Sequence, residues 1–71
     1  MSSALGQMVA AARRRAGYRT IYAFSQATGI SSGQLSEIER GVSSPSIATL
    51  ERIFDTIGWS VKVVFLPPAP K

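Results

Sequence analysis

Residues 24–41 read FSQATGISSGQLSEIERG, and the fold follows from how that stretch divides. It splits into the end of one short helix, a tight turn and a second helix. Gly29 is the pivot, because a chain leaving a helix commonly does so through a left-handed residue that glycine adopts without strain. Ile30 then carries an apolar side chain toward the core, and Ser31 offers an oxygen to cap the next helix. Within that helix, expected over about residues 31–40, Leu35 and Ile38 stand three apart and face inward together. Ser32, Gly33, Ser36, Glu37 and Arg40 fall on the other side, and Gly41 ends the run.

Two short helices hinged at a glycine, the second with a polar outer face, suit the helix-turn-helix arrangement that enters the DNA major groove. The outer positions then carry sequence information. Glu37 can accept a hydrogen bond from cytosine N4, and Gln34 can pair with adenine or reach a phosphate. Ser32 and Ser36 serve either base edges or phosphates. Gly33 has no side chain but lets the helix backbone approach the groove. Glu37 also has a plainer reading, a helix-surface ion pair with Arg40. A carboxylate facing DNA is repelled by phosphates, so it helps only if well placed.

From Leu5 to Gly58 the chain resembles the lambda-repressor-like helix-turn-helix domains, the Xre or Cro-type family. The matching pieces are LG in the first helix, R..AGY after it, the F...TGIS turn, LSEIERG, PSIATL and IG. The resemblance implies a mainly α fold, a four-to-five-helix DNA-binding domain. It also implies a structural ion pair between Arg13 and Glu39, tying the first helix to the end of the recognition helix. The chain departs from the family at three places. The loop over residues 17–20 is one residue longer, Ile21 replaces a phosphate-contacting glutamine, and Gly33 replaces a base-reading side chain.

Seventy-one residues make one domain near the lower size limit for a single core. Marginal size favours oligomerisation, since a partner supplies buried surface. The chain has no cysteine and no histidine, which excludes disulfides and thiolate metal sites and removes the commonest general base. No catalytic constellation, metal site or cofactor is expected. No apolar run approaches the roughly 20 residues that span a bilayer, and no signal-like segment opens the chain, so a cytoplasmic address and no membrane partner are expected. Eight Lys and Arg stand against four Asp and Glu, a net charge of +4. Arg13, Arg14, Arg15 and Arg19 are clustered. That is either the footprint of a polyanion binder or a solvated helix end complementing its dipole; beside the helix-turn-helix, DNA is favoured.

In chain order, Ser2 or Ser3 can cap a first helix to about residue 16, with Leu5, Met8, Val9, Ala12 and Ala16 as one buried stripe. Arg14 and Arg15 turn away from it toward phosphate. Arg19 lies in the following loop and Thr20 caps a second helix. Ile21, Phe24 and Thr28 face inward, and Ser25 is small where two helices approach. Phosphate contacts are expected from Arg14, Arg15, Arg19, Thr20, Ser31, Arg40, Ser43 and Ser44, the last two beside a helix start at Ser46. Ile47, Leu50, Ile53, Phe54 and Ile57 form the buried face of that helix, which Gly58 closes.

Residues 59–66, WSVKVVFL, change period. Trp59, Val61, Val63 and Phe65 alternate with Ser60, Lys62, Val64 and Leu66, the pattern of a β-strand. A lone strand needs a partner for its amides, and the same strand of a second copy supplies one as an intermolecular two-stranded sheet. The alternative is an extended tail packed on the helices. The chain thus divides into a DNA-binding domain (1–58), a dimerisation strand (59–66) and a proline-rich tail (67–71). The expected function is a homodimeric repressor binding a palindromic operator in double-stranded DNA. The alternative is an antitoxin that also binds a protein toxin, since the plan resembles small bacterial antitoxins of the HipB and HigA kind. A small protein-interaction module without DNA affinity is a third possibility.

Overall fold

A computed structural model describes residues 4–69. Four helices follow one another: α1 (Ala4–Arg15), α2 (Ile21–Thr28), α3 (Ser32–Glu39) and α4 (Ile47–Thr56). Three of them begin as the sequence suggests. The hydroxyl oxygens of Thr20, Ser31 and Ser46 accept the amides of Ala23, Gln34 and Thr49 at 3.0, 3.2 and 3.2 Å, each satisfying one orphan donor of a helix start. Ser2 and Ser3, the expected caps of α1, lie outside the described residues.

A glycine at positive φ follows each of the four helices, and two of them show how the chain is turned. Gly29, at φ 77°, returns its amide to the Ser25 carbonyl at 2.9 Å and turns the chain from α2 into α3. Gly58, at φ 82°, ends α4 in a Schellman motif. There the Trp59 amide reaches the Phe54 carbonyl at 2.9 Å and the Gly58 amide reaches Asp55 at 3.1 Å. The apolar contact that accompanies this motif is present too, as the Trp59 ring stacks on Phe54 at 5.2 Å.

Helix α3 packs on α1 and α2, and α2 packs on α4. The core holds Val9, Ala12, Phe24, Ile30, Leu35, Ile38, Ile53 and Phe54, with Leu5, Tyr18, Ile21, Leu50, Ile57 and Val61 packed around it. Helix α1 comes so near the end of α3 that a Cβ on Gly6 would sit 2.5 Å from the Ile38 carbonyl oxygen and 2.6 Å from that of Glu39. No side chain fits there.

Several expectations about burial change. Met8 is half exposed, at the edge of the α1 stripe over a surface hollow. Ala16 lies past the last turn of α1 and is exposed. Ile47 is the first residue of α4, beyond the reach of the core, and is 46% exposed. There are four helices among the described residues, and no strand. Residues 59–69 carry no regular secondary structure; one extended segment cannot make a ladder without a second. No described helix is long and apolar enough to cross a membrane.

Candidate nucleic-acid interface

Helix α3 turns Leu35 and Ile38 into the core and leaves Ser32, Gly33, Gln34 and Glu37 exposed, with Ser36 half-buried. Its angle to α2 is held by side chains. The Thr28 hydroxyl accepts the Ile30 amide at 3.1 Å and donates to the Phe24 carbonyl at 2.9 Å. The Ser25 hydroxyl donates to the Ile30 carbonyl, so Ser25 has a bonding role where the sequence suggested only small size. The signal for both was available: hydroxyl residues in the last turn of a helix can satisfy backbone groups of the turn that follows.

The far end of α3 is fixed by Arg13. Its Nε donates to Glu39 at 2.8 Å and its Nη2 at 3.2 Å, while Nη1 donates to the Tyr18 carbonyl at 2.8 Å. The ion pair that the resemblance implied is therefore formed, with Arg13 only 4% exposed. One planar guanidinium joins α1, the loop before α2 and the end of α3; the geometry is the bidentate fork that makes arginine suited to carboxylates.

Around α3 the remaining cations separate. Arg14 and Arg40 line one shallow hollow together with Gln7, Ile21 and Ser36, between α1, the start of α2 and the end of α3. Arg40 donates from Nε to the Ser36 carbonyl at 3.3 Å, and no ion pair joins it to Glu37 among the described residues. Arg15 is exposed, but it lies about 100° further round α1 than Arg14. That puts it in line with Ala11 and Met8 and outside the hollow that Arg14 shares with Arg40. Arg19 and Thr20 are exposed before α2. Because the Thr20 and Ser31 oxygens already accept backbone amides, each hydroxyl proton is left to point at an acceptor such as a phosphate. Ser43 is half-buried and Ser44 exposed in the loop before α4.

Trp59 and Val61 lie against the body, Trp59 still 47% exposed, whereas Val63 is 46% and Phe65 85% exposed. On the other side of the alternation Val64 is 72% and Leu66 83% exposed. The tail therefore carries an apolar surface that one copy of the chain does not cover.

A helix-turn-helix family profile matches residues 9–62, well over half of the chain. The chain belongs to the lambda-repressor-like helix-turn-helix family. No curated protein and no solved structure matches it. As a helix-turn-helix protein it is a DNA-binding transcription regulator, and the matched segment contains α2, α3, α4, the Arg13–Glu39 pair and the start of the tail.

Proposed function

We propose that two copies of this helix-turn-helix protein act together as a sequence-specific repressor on a palindromic operator. The observation that carries the reading is the exposed face of α3, fixed at both ends by buried hydrogen bonds and flanked by Arg14 and Arg40. Placed in the major groove, Glu37 accepts from a cytosine amine, Gln34, Ser32 and Ser36 meet base edges or phosphates, and the Gly33 backbone comes close to the groove wall. Arg14, Arg19, Arg40 and the hydroxyls of Thr20, Ser31, Ser43 and Ser44 hold the phosphate strands and set the register. Repression follows from occupancy, since a bound dimer covers DNA that transcription needs.

The dimer rests on residues 59–66. Antiparallel pairing with the two-fold mate gives the tail amides after Trp59 their partners and covers Trp59, Val61, Val63 and Phe65. The test is selection of binding sites from random DNA with the purified protein. Recovered sites should be inverted repeats with half-site centres about one helical turn, 10–10.5 base pairs, apart; single half-sites without symmetry would exclude the dimer. The exposure of Val64 and Leu66 on the opposite side of the same tail favours a second reading, an antitoxin that presents this face to a protein toxin. Co-purification of a stoichiometric second protein from the native cell separates the two.

A further inference from the structure

Arg14 and Arg40 account for only one side of α3. On its other side, Gly29, Ser31 and Gln34 face Ala48, Thr49 and Arg52 of α4 across a second hollow. The Arg52 guanidinium reaches into it, its Nη1 lying 3.7 Å from where a Cβ on Gly29 would be. Arg52 is exposed and forms no ion pair among the described residues. Glu51 and Asp55 both share its outer surface on α4, and neither closes an ion pair with it. A cation held beside the start of α3 and left unneutralised is available for an external anion.

The placement of that cation identifies the anion. A helix with its side chains is about 10–12 Å across, and the major groove is about 12 Å wide. A helix seated in the groove therefore has a phosphate strand along each flank. Gln34 and Ser36 project to opposite flanks of α3, about 200° apart by helical geometry, and each borders its own arginine-lined hollow. Building on the DNA-binding reading above, we infer that Arg52 binds a DNA backbone phosphate on the flank of α3 opposite to Arg14 and Arg40. The two hollows then clamp the helix between both strands of one groove. Arg52 positions the helix without reading sequence.

The experiment compares the full-length protein with Arg52→Ala, Arg52→Lys and Glu51→Gln on a selected site, with affinity measured between 50 and 200 mM salt. Removing one phosphate contact lowers the salt slope by about 0.9, so the affinity ratio across that range should shrink about 3.5-fold in Arg52→Ala. Arg52→Lys should keep most of the slope, since a point charge also serves a phosphate. Glu51→Gln should not lower it. Ethylation interference should lose one protected phosphate in Arg52→Ala, and its melting temperature should match the parent. A parent-like slope and footprint in Arg52→Ala, or a weakened complex explained by a lowered melting temperature with the slope intact, would overturn the assignment. Absence of salt-dependent DNA affinity in the parent protein would instead overturn the DNA-binding reading itself.

Discussion

Arg13 joins three segments through one guanidinium, so its removal should be felt as instability first. Arg13→Ala leaves the nearly buried Glu39 carboxylate without its partner and frees the Tyr18 carbonyl. Breaking a buried pair in this way costs about 3–5 kcal/mol, readable as a drop in chemical or thermal midpoint. Glu37 is the contrast, exposed and unpaired on the same helix. Glu37→Ala should leave the midpoint unchanged and relax base preference at one operator position by about 1–3 kcal/mol. Reversed behaviour of these two variants would mean that the inner and outer faces of α3 have been exchanged. Gly6 makes a third residue-scale case. Gly6→Ala forces its methyl against two backbone carbonyls that cannot move aside as side chains do. An overpacking cost of about 1–3 kcal/mol is expected, against the gain in helix propensity that alanine brings at an ordinary site. An alanine variant more stable than the parent would show that α1 and α3 do not meet this closely.

At the scale of elements, the start of three helices and the glycine turn between α2 and α3 were legible because they depend on neighbours in sequence. Thr20, Ser31 and Ser46 need only an amide three residues on. Met8 and Ile47 were harder, since a periodic pattern says that a residue is apolar and not whether another helix reaches it. Arg15 shows the same gap in the interface. Arginines adjacent in sequence look equivalent in a charge count, yet a turn of about 100° separates Arg14 from Arg15 on α1. Only Arg14 shares a hollow with Arg40 and Ser36. Arg14→Ala should therefore weaken binding to all DNA sequences about equally, whereas Arg15→Ala should change it much less; gel-shift titrations on specific and random duplexes check this. Equal losses would place both on the phosphate side. Arg52 was illegible for a different reason: its meaning depends on α4 lying beside the start of α3, which no local spacing announces.

For the whole molecule the question is how two recognition helices are kept one turn of DNA apart. The described part of one chain supplies a body of four helices and an apolar tail over residues 59–66, whose backbone beyond the Trp59 amide finds no partner among the described residues. Burying side chains of this size contributes roughly 1.5–3 kcal/mol each before ordering costs. Truncation after Gly58 should give a monomer with much reduced operator affinity, and Val63→Pro should act similarly by removing an amide donor from the strand. Sedimentation of each variant beside the full chain decides it. A truncated protein that remained dimeric at full affinity would move the interface to the helical body, with exposed Met8 and Ile47 the first places to look.

Trp59 is the only tryptophan in the chain, and it sits where body meets tail, one ring face on Phe54 and nearly half of its surface open. The protein therefore carries its own optical gauge of assembly. If a second copy covers the tail, the indole leaves water, and its emission should shift to shorter wavelength as concentration rises through the dimerisation constant. Dilution should reverse the shift, while Val63→Pro should hold the emission at the long-wavelength limit throughout. The monomer–dimer equilibrium can thus be followed without a label, in the same cuvette as a DNA titration.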